Sequence, residues 1–159
     1  MLTVRLICVG KLKEAYWRDA CAEYEKRLRP FCGFSIIELP ECRLPDNPSD
    51  AQIRAALKTE GDSILSAAGS SALFALCIEG RELSSGQLSD QINTLAVNGT
   101  STVSFVIGSS FGLCEAVKQR AGFRLSMSPM TFPHQLARVM LCEQIYRAFQ
   151  IIHHGKYHK

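Results

Sequence analysis

The chain has 159 residues, 47% of them hydrophobic, with a formal net charge of +3; this is enough apolar material for one domain with its own core. No apolar run approaches the roughly 18–20 residues that a membrane-spanning helix needs, and a charge this small does not by itself indicate nucleic-acid binding. Seven cysteines, an odd number with no C-x-x-C pair, argue against a disulfide frame or a zinc site and for reduced, buried thiols in a cytoplasmic protein.

The first apolar run, residues 2–9, reads as a buried strand. It lacks the basic leader and small-residue cleavage site of an export signal. Residues 14–28 follow, with Tyr16, Ala20, Tyr24 and Leu28 four apart on one helical stripe. A second strand over 34–39 runs into a loop imposed by Pro40, Pro45 and Pro48. Ser49 is then placed to cap a helix reaching about Ala68, with Ile53, Leu57, Ile64 and Leu65 facing a sheet. Strands over 73–78 and 102–107 flank a helix over 84–97. A short helix over 114–120 and a last strand over 123–127 lead to the final helix, which Pro133 suits as first residue, Thr131 as cap, and which extends to about His153. The order βαβαβαβαβα, with continuous apolarity in the first, third and fourth strands, predicts a single-domain α/β fold over 1–159. Its parallel-type sheet is flanked by helices on both faces.

Open α/β sheets bind ligands beyond the carboxyl ends of their strands. Two such ends stand out: Cys77-Ile78-Glu79-Gly80-Arg81 and Ile107-Gly108-Ser109-Ser110-Phe111-Gly112. Neither has the G-x-G-x-x-G spacing, and no G-x-x-x-x-G-K-[ST] occurs, so dinucleotide and P-loop chemistry lose their main support. The reactive centre is expected where the Gly108 turn meets the loop over 127–134.

On the final helix, a wheel at about 100° per residue groups Glu143, Arg147 and Gln150 on a polar side and Leu141, Cys142, Ile145, Phe149 and Ile152 on the other. His134 and Arg138 project from the apolar side. A buried guanidinium needs a partner, so Arg138 meets an acid, carbonyls, a phosphate or a second subunit, and closing a structural ion pair is as open as meeting substrate. Three of the four histidines crowd the terminus. Without a carboxylate or cysteine at useful spacing these are not expected to bind metal. The closing Tyr157-His158-Lys159 joins a ring, a titratable group and a cation, either a frayed end or a grip on a nucleotide and its phosphate.

Taken together, Cys8-Val9-Gly10-Lys11, the 107–112 turn, Ser128-Pro129-Met130-Thr131-Phe132-Pro133-His134-Gln135, Arg138-Val139, Glu143-Gln144-Ile145-Tyr146-Arg147-Ala148 and Tyr157-His158-Lys159 resemble, from end to end, the RlmH methyltransferases of the SPOUT superfamily. The resemblance implies a C-terminal trefoil knot, which pattern alone would not suggest. It also implies S-adenosylmethionine as methyl donor, a homodimer whose site draws on both subunits, and methylation of N3 of a pseudouridine in helix 69 of 23S rRNA, on the ribosome. Carried over residue by residue, it assigns Leu76, Gly108, Met127, Ser128, Pro129, Met130, Thr131 and Phe132 to the cosubstrate. His134, Arg138, Tyr157 and His158 become the catalytic set, with Lys159, Arg138 and Tyr157 facing RNA and His158 as leading base. One departure is Ser109, where the family usually has glycine. A rival of another class is a non-catalytic ribosome-associated RNA-binding factor, which would grip RNA without taking up S-adenosylmethionine.

Overall fold

Strand and helix alternate without exception along the chain. The computed structural model describes residues 1–159, in the order β1 (Thr3–Val9), α1 (Ala15–Leu28), β2 (Gly33–Leu39), α2 (Asp50–Ala68), β3 (Ala72–Glu82), α3 (Ser85–Val97), β4 (Thr102–Ile107), α4 (Glu115–Arg120), β5 (Phe123–Ser126) and α5 (His134–Ile152). All ladders are parallel, in the strand order β2-β1-β4-β3-β5. Every strand therefore delivers its carboxyl end to the same edge.

The period-two alternation of the strands divides the core between two faces. Val4, Leu6 and Cys8 of β1 and Val103, Phe105 and Ile107 of β4 pack with α1, α3 and α5 through Cys21, Leu28, Leu88, Ile92, Leu141 and Ile145. Ile7, Val9 and Val106 point the other way, onto α2 and α4 through Ile64, Ala68 and Val117. The central strands are buried on both sides, which is why they read as unbroken apolar runs. No helix is long and apolar enough to cross a membrane.

Ser49 caps α2 as expected: its hydroxyl accepts from Gln52 N while the Gln52 side chain accepts from Ser49 N. Ser84 and Gln87 repeat this box at α3. The cap of α5 differs from expectation, since Pro133 itself is the residue before the first helical turn and Thr131 makes no cap bond. All seven cysteines are free, but only Cys8, Cys21, Cys32 and Cys142 are buried; Cys42, Cys77 and Cys114 are partly exposed.

β3 departs most from expectation. It continues to Glu82 rather than stopping at Ile78, and both Leu76 and Arg81 pair with Leu125 of β5. Residues 77–80 are thus displaced from the ladder as a bulge. Gly80 makes this possible, because a Cβ there would lie 2.8 Å from the Arg124 backbone.

Candidate active site

At the carboxyl edge, the β3 bulge, the turn after β4 and the segment joining β5 to α5 enclose a cavity of about 410 Å³, a size suited to a small molecule. β3 contributes Leu76 from its ladder and Cys77, Ile78 and Glu79 from the bulge. The second wall is the turn over 108–112, and the third is Ser126, Met127, Ser128, Met130, Thr131 and Phe132, followed by His134 and Ala137 from the first turn of α5. Of the residues expected to hold a cosubstrate, Leu76, Gly108, Met127, Ser128, Met130, Thr131 and Phe132 all line this cavity, and Pro129 does not. The β3 bulge and Lys118 were not foreseen as walls. Only the strand-end position of Cys77 to Gly80 hinted at the first, and nothing local hinted at the second.

The turn after β4 is tightly closed. Gly112, at φ +85°, donates its N–H to Ser109 O at 2.8 Å, and a Cβ on Gly108 would lie 2.3 Å from Gly112 O. Ser109 does not disturb this geometry. It is nearly buried, and its hydroxyl donates to Glu60 Oε1 at 2.8 Å. The opposite loop is held by Ser128, whose hydroxyl oxygen accepts from Met130 N at 2.9 Å. Beside the cavity Lys118 pairs with Glu79, and that hydrogen bond holds the Glu79 carboxyl below the usual carboxylate range. Ile78, Phe111 and Met130 keep 67%, 48% and 72% of their surfaces exposed around it, an apolar rim on an otherwise mixed site. No group of three or more His, Cys, Asp or Glu side chains is arranged to hold a metal.

Arg138 is buried as its helical phase required, but its partners lie within the chain. Nη1 donates to Glu38 Oε2 at 2.6 Å and Nη2 to Gly10 O at 3.1 Å, while Glu38 also accepts from Leu12 N. The guanidinium is thereby drawn to the ends of β1 and β2, and it does not line the cavity that His134 and Ala137 reach. Its burial is explained without substrate. Glu38→Ala leaves that guanidinium with one carbonyl, and denaturant unfolding is expected to show a loss of about 2–3 kcal/mol. This is below the roughly 3–5 kcal/mol for breaking a fully buried pair, because the Glu38 side chain keeps 36% of its surface in water.

The tail lies elsewhere too. Tyr157 OH donates to Glu143 Oε1 at 3.0 Å, its ring packs on Tyr146, and the Arg147 guanidinium lies 4.7 Å from the ring centre. Glu143 is nine residues beyond His134, which is roughly 13 Å along α5 and on its opposite side. Tyr157, His158 and Lys159 therefore do not line the cavity of their own chain. Arg147 Nη1 stands 3.2 Å from His158 Nδ1. With Nδ1 accepting from a guanidinium, the ring proton belongs on Nε2, so in this position His158 is no base. Lys159 is exposed.

Burial, helped by the bond to Glu143, pushes the Tyr157 phenol up to about 12. An acid raised on folding adds stability that is fully present below its unfolded value of about 10 and is lost as pH rises through the folded value. Ultraviolet titration is expected to show a tyrosine step near pH 12, and Tyr157→Phe to remove that step.

A family model described as "Predicted SPOUT methyltransferase" matches residues 2–158. A protein named ribosomal RNA large subunit methyltransferase H from Streptococcus equi subsp. zooepidemicus is 46% identical, the match covering 99% of this chain and 100% of that one. Its counterpart of the same name from Exiguobacterium sibiricum is 45% identical over the same shares. Among solved structures, a probable methyltransferase from Bordetella pertussis superposes with a TM-score of 0.61 at 17% identity, covering 93% of this chain and 96% of that one. A probable methylase family protein from Haemophilus influenzae gives 0.59 at 13% identity, covering 100% and 72%. These two establish likeness of fold. With the family matched across almost its whole length, the chain belongs to the SPOUT methyltransferases.

Proposed function

We propose that this chain transfers a methyl group from S-adenosylmethionine to large-subunit ribosomal RNA, with N3 of a pseudouridine in helix 69 of 23S rRNA, on the assembled ribosome in the cytoplasm, as acceptor. The observation that carries this is the strand-end cavity between the Gly108 turn and the 126–132 segment, in a chain whose relatives are named for ribosomal RNA. The residues suit the donor. Leu76, Ile107 and Leu125 offer apolar contact to an aromatic ring, while the hydroxyls of Ser110, Ser128 and Thr131 and the bare backbone at Gly108 offer polar contact to a ribose and an amino-acid end. The chain around this cavity is expected to be threaded as a trefoil knot.

When bound, S-adenosylmethionine supplies a methyl group already activated on a sulfonium. The protein's part is to align the acceptor nitrogen, exclude water and accept a proton. The imide N3–H is a weak acid, and His158 is the proposed group at that proton. It can act only after leaving Arg147, and its own chain's tail lies on the far side of α5. We therefore assign the tail at each cavity to a second copy of the chain, in a homodimer. There Tyr157 stacks on or orients the base and Lys159 meets phosphate. His134, on the cavity wall, faces the same RNA. Arg138 serves by holding the start of α5 to Gly10 and Glu38; to meet an RNA phosphate it would have to give up Glu38.

Calorimetric titration with S-adenosylmethionine tests the reading, with saturable binding at one donor per chain expected. Ribosome binding by intact protein without any donor uptake would favour the non-catalytic RNA-binding factor. Unchanged single-turnover rates across pH in His158→Ala would remove His158 from the proton transfer.

A further inference from the structure

Glu60 and Gly61 sit together in the middle of α2, where neither residue is ordinary. Glycine is among the least favourable residues inside a helix, yet here a Cβ would lie 2.4 Å from Cys114 Sγ and 3.4 Å from Val117 Cγ2. The missing side chain lets α2 close on the start of α4. That approach brings the neighbouring carboxylate, only 4% exposed, under the strand-end turn. Glu60 Oε1 accepts from the Ser109 hydroxyl at 2.8 Å and Oε2 accepts from Cys42 N at 2.9 Å. Ser109 is 6% exposed. A buried carboxylate satisfied by two otherwise separate loops holds both in place, because losing either partner strands a polar group away from water.

We infer that Glu60 is a positioning residue for the donor cavity: through Ser109 it fixes the turn over 108–112, and through Cys42 it ties the proline-bounded loop over 40–48 to the same edge. The bond needs the Ser109 hydroxyl, and a glycine at 109 could not make it. The inference rests on the cavity being the donor site.

Two measurements on the full-length protein test it. The first is hydrogen exchange of the Gly112 amide, which donates to Ser109 O, in protein without ligand. The second is calorimetric affinity for S-adenosylmethionine. Ser109→Ala and Glu60→Ala are each expected to speed Gly112 exchange about tenfold and weaken the donor about tenfold, and the double variant to be no weaker than Glu60→Ala alone. Glu60→Gln is expected to stay within threefold of wild type, since its carbonyl can accept from Cys42 N and its amide can donate to the Ser109 hydroxyl. A merely structural Glu60 would lower Tm yet leave exchange at Gly112 and donor affinity unchanged, which would overturn the inference. If Glu60→Ala does not fold, Ser109→Ala decides alone. Wild type that ignores S-adenosylmethionine would refute the donor site itself, and slow Gly112 exchange in Ser109→Ala would refute the clamp.

Discussion

Gly108→Ala is expected to weaken S-adenosylmethionine binding at least about 100-fold and to abolish methyl transfer, while leaving the chain folded. The added Cβ would lie 2.3 Å from Gly112 O, 2.7 Å from Gly112 C and 2.9 Å from Leu113 Cδ2. Two of those three atoms are backbone and cannot swing aside. The turn must open by the better part of an ångström, and it is a cavity wall. Misplacing a binding group by about 1 Å costs on the order of 100-fold, or about 2–3 kcal/mol at about 1.4 kcal/mol per tenfold. Folding should survive, because Gly108 and Gly112 lie beyond the end of β4 and outside the double-sided core, and the one core residue touched, Leu113, is met only at the end of its side chain. Calorimetry for the donor and circular dichroism for the fold separate the two outcomes.

Removing residues 157–159 is expected to lower methyl transfer without the loss of donor binding. Methyl transfer falls at least about 100-fold, while donor affinity stays within about threefold, because the proposed donor contacts all belong to the cavity's own chain and the tail from the second copy is assigned to the RNA. The same geometry predicts complementation. A mixed dimer of one Gly108→Ala chain and one tail-deleted chain keeps an intact cavity on one copy and an intact tail on the other. Equal mixing after subunit exchange should restore about a quarter of wild-type activity, since half the dimers are mixed and each has one working site of two. No recovery on mixing would place the tail's action within its own chain.

Parts of this arrangement are legible in the sequence because they depend on local pattern. The run over 102–107 is rich in β-branched and apolar residues and ends at Gly108, so strand and turn could be read together. Strand-end pattern pointed to the Gly108 turn and the loop over 127–134, whereas the seven cavity residues were assigned to the donor one by one through the family resemblance. Arg138 shows where local reading stops. Its burial follows from helical phase, but its partner Glu38 lies 100 residues away, and nothing at either position names the other. The β3 bulge was hidden because Glu79-Gly80-Arg81 looks like a polar exit from a strand, whereas the ladder resumes at Arg81 after the interruption. Glu60 left one faint signal, a carboxylate beside a mid-helix glycine. The tail's chemistry was visible in its residue types, but its position was not. Short polar termini carry no periodicity, and Glu143 and Arg147, paired on the polar side of α5, together with the Tyr146 ring determine where Tyr157 and His158 rest.

The most direct test is mass spectrometry of 23S rRNA after incubating the purified protein and isotopically labelled S-adenosylmethionine with ribosomes from cells lacking it. One labelled methyl group on a pseudouridine of helix 69, absent with Gly108→Ala, is the predicted result. Unlabelled rRNA, from protein shown to be folded and to bind those ribosomes, would contradict it.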